Sequence, residues 1–337
     1  MFDGLFAVAG WLAIPLLLVG FWPLVKGADW LVDGGSALAA RFNIPTLVIG
    51  LTIVAFGTSM PELVVNMFAA VGGNTDISMG NIVGSNIFNV LGILGVSAMV
   101  KPIHVKSSTT WIEIPLVMAA ALAVAILAND IVLGGSSIGQ AMLSRGDGLI
   151  LLLFFAIFLG YTVSMAISGD FEEDFEIRDW SKIKAIFFVI AGLVLLVIGG
   201  KIIVECAVQL ARSFGVTERV IGLTIVSIGT SLPELATSVV AARKGNSDIA
   251  LGNIVGSNIF NIFLILGLTA VVSPIPLNPA SNLDILFNIF ITVLLMAFVF
   301  FPRNRMISRP KGLTFVGLYV VYVVWLVVAP LIGMVPV

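Results

Sequence analysis

Two glutamates, Glu62 and Glu234, stand inside long apolar stretches, each at the end of the same hexapeptide pattern. The segments read GTSMPE (57–62) and GTSLPE (229–234). An ionisable group at bilayer depth costs about 2.5 to 3.5 kcal/mol even on lenient insertion scales, so such a group marks an ion site by default. The plain alternative is a neutral acid hydrogen-bonded between helices, and the duplication argues against it. Thr58 and Ser59 precede Glu62 by four and three residues, which puts all three on one helix face. Thr230, Ser231 and Glu234 repeat the arrangement. Pro61 and Pro233 have no N–H, and each ring clashes with the carbonyl four residues back. The spacing predicts helices that open near Gly57–Thr58 and Gly229–Thr230, freeing carbonyl oxygens beside the carboxylates. Broken backbone is tolerated at membrane depth only where it is packed in protein or lines a cavity.

A second pattern, GNIVGSNIFN, occurs at 80–89 and again at 252–261. Asn81, Ser85 and Asn89 follow one another by single helical turns and make a polar stripe. Asn253, Ser257 and Asn261 copy it. Ser85, Asn89, Ser257 and Asn261 are candidate ligands. Asn81, Asn86, Asn253 and Asn258 are read as amides that hold helices together. Gly80, Gly84, Gly252 and Gly256 recur at four-residue spacing, which allows close helix approach.

The combined donor set is all oxygen: two carboxylates, hydroxyls, amides and freed carbonyls. Without a Cys or His cluster, zinc and copper are poor matches. Hard cations fit. Calcium takes 6 to 8 oxygens at about 2.3 to 2.6 Å in variable geometry, whereas magnesium holds on to its waters. Two carboxylates balance one Ca²⁺ or can be balanced by several Na⁺. No cofactor is called for; the ions are cargo.

The elements that must position these groups are also duplicated. Residues 48–98 return at 220–270 without a gap, each position 172 residues on (62 to 234, 81 to 253, 89 to 261), and roughly two thirds of the positions are identical. The chain has 337 residues, of which 59% are hydrophobic and 11% charged, with mean hydropathy +1.14. A soluble domain has about 25% charged residues. Apolar runs of this length read as membrane spans. The fold class is therefore an all-α integral membrane protein. Ten transmembrane helices are expected at about 5–38, 44–71, 77–99, 111–128, 148–168, 182–212, 217–242, 249–272, 283–301 and 312–334. Gly27, Gly34 and Gly35 are expected to interrupt the first, and Gly199 and Gly200 the sixth. Residues 129–147 read as a loop with a short surface helix. No Lys or Arg precedes the first apolar run, so it is kept as a span, not a cleaved signal.

The first five-helix repeat is placed at 1–168, an acidic linker at 169–181 and the second repeat at 182–337. An odd number of spans per half makes the second copy cross in the opposite sense, an inverted-topology repeat. Lys and Arg set the orientation. With the N-terminus outside, Arg41, Lys101, Lys106, Arg178, Lys182, Lys184, Arg243, Lys244, Arg303, Arg305, Arg309 and Lys311 lie inside. Only Arg145, Arg212 and Arg219 fall in outside loops. Both termini are then outside and the linker is cytoplasmic. The net charge of −2 argues against nucleic acid as a partner. Cys206 reads as a small buried apolar residue and His104 as a solvated loop residue. Asp29, Asp33 and Glu205 read as interfacial or solvated.

At GTSxPE and GNIVGSNIFN, in both halves, the chain resembles the calcium/cation antiporter superfamily, specifically the prokaryotic sodium/calcium exchangers. The resemblance covers essentially the whole chain. It implies four central helices around the site, with the first and sixth sliding against them. It also implies calcium ligands Glu62 and Glu234 with the carbonyls of Thr58 and Thr230. Sodium sites would use Ala55, Thr58, Ser59 and Ser85, and on the other side Ser227, Thr230, Ser231 and Ser257, with Asn89 and Asn261 between. Potassium-dependent members carry Asp where Asn261 stands, which disfavours potassium cotransport. Ser227 replaces Ala55 of the first copy, where only the carbonyl matters. Cation/proton members show GNxxE in place of GTSxPE, which favours sodium as counter-ion. No long regulatory insert separates the halves.

The reading is an electrogenic sodium/calcium antiporter in a prokaryotic plasma membrane, working by alternating access as a monomer. A calcium/proton antiporter is the alternative. A cation channel would pass ions without a counter-ion, which the paired carboxylates disfavour. Within the spans, no Ser/His or His/Glu pair suggests an enzyme.

Overall fold

The computed structural model describes residues 12–72, 76–129, 141–168, 177–214, 227–278, 281–301 and 305–328. Among them ten helices occur. The first five are α1 (Ala13–Phe42), the bent α2 (Thr46–Thr58 and Met60–Val71), α3 (Ser78–Val100), α4 (Thr109–Leu127) and α5 (Arg145–Ser168). The second five are α6 (Lys182–Ser213), the broken α7 (Ser227–Thr230 and Leu232–Lys244), α8 (Ser247–Val272), α9 (Ser281–Phe300) and α10 (Arg309–Val328). Seven are long and apolar enough to cross a membrane, and the bent α2 makes eight. Residues 1–11, the surface-helix segment 130–140 and the first part of the seventh span lie outside the described residues.

Burial sorts the helices by role. The most apolar windows of α3 and α8 are 83% buried, whereas that of α5 is 17% buried. α3 and α8 carry the polar stripes and can bury them only at the centre. α5 is apolar all round and presents Leu149, Leu153 and Ile157 outward, as a lipid-facing helix must.

The expected interruptions of the long helices do not occur: α1 and α6 run unbroken for 30 and 32 residues. Their glycines instead let two backbones touch. A Cβ on Gly192 would lie 2.7 Å from the Leu31 nitrogen, and one on Gly199 2.6 Å from the Leu24 nitrogen. Intrahelical hydrogen bonds hold a glycine in helix at membrane depth, so close approach decides what these residues do.

Two small antiparallel pairs record the inverted repeat. β1 (Ile103–His104), after α3, pairs with β4 (Met306–Ile307), before α10. β3 (Ile275–Pro276), after α8, pairs with β2 (Met142–Leu143), before α5. Each pair joins one repeat to the other, and β1 and β3 are equivalent residues at the 172 offset. Strands of two residues leave no periodicity to read. His104 is exposed there, and Cys206 is buried.

Acidic residues read as interfacial are in part ion-paired. Asp33 of α1 meets Lys244, at the end of α7, at 2.7 Å and Arg178, before α6, at 2.8 Å. Lys244 also meets Asp29 at 3.1 Å. Arg41 pairs with Asp179, and Trp180 stacks on Phe188 of α6 at 4.4 Å. Glu205 pairs within its own helix, with Lys201 at 3.6 Å. Two further carboxylates sit between peripheral helices: Glu113 accepts from Tyr161, and Asp284 from Tyr322 at 2.8 Å.

Candidate cation-binding site

The two proline motifs break their helices at equivalent places. α2 stops at Thr58 and resumes at Met60, bent by 46°, with Ser59 at φ −82°, ψ 6°. α7 stops at Thr230 and resumes at Leu232, with Ser231 at φ −92°, ψ 11°. The opening thus lies one residue beyond the position expected from the ring clash. Pro61 and Pro233 occupy the first turn of the resumed helix, where an N–H has no intrahelical partner anyway. Glu62 and Glu234 sit in that same first turn, at the positive end of a helix, where a carboxylate is favoured.

The break turns each serine towards the opposite repeat. The Ser59 hydroxyl donates to Glu234 Oε1 at 2.9 Å, and its oxygen lies 3.0 Å from Ser257 Oγ. The Ser231 hydroxyl donates to Glu62 Oε1 at 2.8 Å and lies 3.3 Å from Ser85 Oγ. Ser59, Glu62, Ser85, Ser231, Glu234 and Ser257 are all buried, and the two crossed sets are related by the repeat. Glycines close the same junction. A Cβ on Gly256 would lie 2.7 Å from the Ala55 Cβ, and one on Gly252 3.0 Å from the Gly50 Cα. The counterpart of Gly50, at position 222, lies outside the described residues.

Asn89 and Asn261 are buried at the start of widened, π-helical turns (Asn89–Leu94 and Phe260–Leu266). Such turns concentrate at functional sites, and neither had a sequence signal. Thr58 is buried, but its hydroxyl points at Asn253 Oδ1 (2.9 Å), leaving its carbonyl as the group to consider. Thr230 is half-buried. Ala55 is buried, and Ser227 opens the turn equivalent to Ala55–Thr58.

Two supporting amides hold the glutamate backbones: Asn253, expected as helix glue, and Asn66, which lies outside both motifs. Asn66 Nδ2 donates to the Glu62 carbonyl at 2.7 Å. Asn253 Nδ2 reaches the Glu234 carbonyl at 3.2 Å and Ser238 Oγ at 2.9 Å. Asn66 corresponds to Ser238, so the two halves anchor their glutamates differently. The polar content of α2 and α7 beyond the motif was the available signal.

Among the candidate ligands, Glu62 Oε2, Glu234 Oε2, Asn89 Oδ1 and Asn261 Oδ1 are buried and accept no hydrogen bond from the protein. They form two repeat-related pairs. Buried acceptors without donors are costly, and a hard cation satisfies them without a proton. One consequence is measurable. Ser59→Ala strips the donor from Glu234 Oε1, so in ion-free buffer it should destabilise the protein by about 1 to 3 kcal/mol. Saturating Ca²⁺ should widen that gap in a thermal melt, because the variant also loses a candidate ligand and gains less from the ion than the wild type. An equal gap with and without Ca²⁺ would mean that the Ser59 hydroxyl does not contribute to ion binding.

The model of the sodium/calcium exchanger protein family matches residues 12–164 and 184–328. The chain belongs to the sodium/calcium exchanger family. It is similar to the inner membrane protein YrbG of Escherichia coli, at 34% identity over 94% of this chain and 97% of that protein. The sodium/calcium exchanger MaX1 of Methanosarcina acetivorans is 32% identical, over 92% of this chain and 97% of MaX1. A solved structure of the sodium-calcium exchanger NCX_Mj, soaked with 10 mM Na⁺ and zero Ca²⁺, matches with TM-score 0.80 and 31% identity, covering 94% of this chain and 99% of that one. The family is one of membrane transporters, not enzymes, and the all-helical inverted-repeat fold is shared with NCX_Mj.

Proposed function

We propose that the chain is an electrogenic antiporter that exchanges Na⁺ for Ca²⁺ by alternating access and normally extrudes Ca²⁺. The observation that carries this reading is the acceptor-only pair of carboxylates, Glu62 and Glu234, each held by a serine of the other repeat with its second oxygen unpartnered. The ligand set is Glu62, Glu234, Ser59, Ser231, Ser85, Ser257, Asn89 and Asn261 with carbonyls at Ala55, Thr58, Ser227 and Thr230. Two buried negative charges without a cation are costly at bilayer depth, so the unloaded protein resists switching between faces. That resistance makes exchange obligatory and prevents leak. Several Na⁺ replacing one Ca²⁺ moves net charge.

The repeats at 1–168 and 182–337 work as a monomer, joined by the linker 169–181. The basic face of Lys101, Arg178, Lys244 and Arg305 lies in the cytoplasm and both termini lie outside. The naming of YrbG as an inner membrane protein supports a plasma-membrane location, and the naming of MaX1 supports sodium as counter-ion.

The test is ⁴⁵Ca²⁺ uptake into proteoliposomes loaded with NaCl, against KCl-loaded and acid-loaded controls. Uptake is expected only with internal Na⁺, strengthened by an inside-positive potential. Equal uptake driven by an acid interior without Na⁺ would replace this reading with calcium/proton exchange.

A further inference from the structure

We infer that Asn86 and Asn258 are positioning residues that fix which end of the Asn89 and Asn261 amides faces the transported ion. The inference rests on reading Asn89 and Asn261 as cation ligands. All four asparagines are buried. Asn86 Nδ2 donates to the backbone carbonyl of Asn258 at 3.3 Å. Asn261 Nδ2 donates to Asn86 Oδ1 at 3.0 Å, and Asn89 Nδ2 donates to Asn258 Oδ1 at 2.9 Å.

The polarity of these bonds fixes the orientation of each amide in turn. A primary amide has an acceptor end and a donor end, and a backbone carbonyl cannot reverse its polarity. Because the Asn258 carbonyl accepts only, Asn86 must turn its NH₂ towards it. The Asn86 oxygen then faces Asn261, which must answer with its own NH₂. That leaves Asn261 Oδ1 on the far side, where it accepts nothing from the protein. In the other half Asn89 likewise gives its NH₂ to Asn258 Oδ1, and its own Oδ1 is free. Flipping Asn89 or Asn261 alone would set two acceptor oxygens against each other. Each clasp residue belongs to the opposite repeat, so the two halves polarise one another's amides. Four residues that read as two ligands and two pieces of glue thus act as one device, which presents oxygen, never N–H, to the ion. Partners that orient ligands typically change metal affinity by about 10- to 100-fold when lost.

The measurement is equilibrium ⁴⁵Ca²⁺ binding to the purified full-length protein, which does not depend on the counter-ion. Asn258→Leu should raise the half-saturating Ca²⁺ by about ten-fold or more. In an Asn89→Ala background the same change should add less than about two-fold, because a positioning residue has nothing left to position. Asn86→Leu should behave likewise against Asn261→Ala. An equal rise in both backgrounds, or none in either, overturns the inference. If Asn258→Leu does not yield monodisperse protein, Asn258→Ser, too short to reach Asn89, takes its place in the same cycle. Wild-type protein that binds Ca²⁺ but shows no Na⁺-driven uptake would refute sodium exchange and leave this cycle readable. Wild-type protein that binds no Ca²⁺ would overturn both.

Discussion

Glu62→Gln should abolish Ca²⁺ exchange while leaving the protein folded, and Glu234→Gln should do the same. Gln keeps an oxygen to accept the Ser231 hydroxyl, now 2.8 Å from Glu62 Oε1, so the crossed hydrogen bonds between repeats survive. It places an NH₂ where Oε2 stands, turning an unpartnered acceptor into a donor aimed at the cation. It also removes one of the two charges that balance Ca²⁺, and ligand charge is a main determinant of calcium affinity. The expected loss of ⁴⁵Ca²⁺ uptake at fixed Ca²⁺ is more than about 100-fold, with an unchanged size-exclusion profile. Substantial uptake in either variant would remove the carboxylate pair from the mechanism.

Gly192→Ala should be among the most damaging single-methyl changes in the chain. A Cβ at this position would stand 2.7 Å from the Leu31 nitrogen and 2.8 Å from the Gly27 oxygen. Both are backbone atoms of α1, so no rotamer change relieves the clash and the two long helices must separate. Overpacking of this kind typically costs about 1 to 3 kcal/mol. A lower melting temperature in detergent is expected. Gly160→Ala on lipid-facing α5 is the control: its Cβ would meet nothing within 4 Å, so it should be neutral or up to about 1 kcal/mol stabilising through helix propensity. Equal melting of the two variants would contradict the close α1–α6 crossing.

The contrast between these two sites shows what could be read without coordinates. Glu62 and Glu234 were legible because a charge in an apolar run needs a reason, and a duplicated charge needs the same reason twice. Ser59 and Ser231 were legible as neighbours of the carboxylates along one helix, but not as donors to the glutamate of the other repeat. Local spacing places a side chain on a face and says nothing of what packs there. The break fell at Ser59 and not at Gly57–Thr58 because the helix restarts early enough to give Pro61 a first-turn position. The glycines of α1 and α6 suggest interruptions in sequence but pack two unbroken helices together, because propensity concerns one helix and the crossing involves two. Asn86 and Asn258 look like glue in sequence and do bridge helices. Their effect on Asn89 and Asn261 depends on which atom faces which. Glu113 and Tyr161 bond across two helices and left no local pattern to find.

The most direct measurement is equilibrium ⁴⁵Ca²⁺ binding to the purified protein during a Na⁺ titration, with K⁺ and choline as controls. The account predicts that Na⁺ displaces Ca²⁺ from one shared oxygen cage with a steep, more than first-order dependence on Na⁺, and that K⁺ and choline do not. Calcium binding indifferent to Na⁺, or displaced equally by K⁺, would contradict the claim that both ions use the Glu62–Glu234 site.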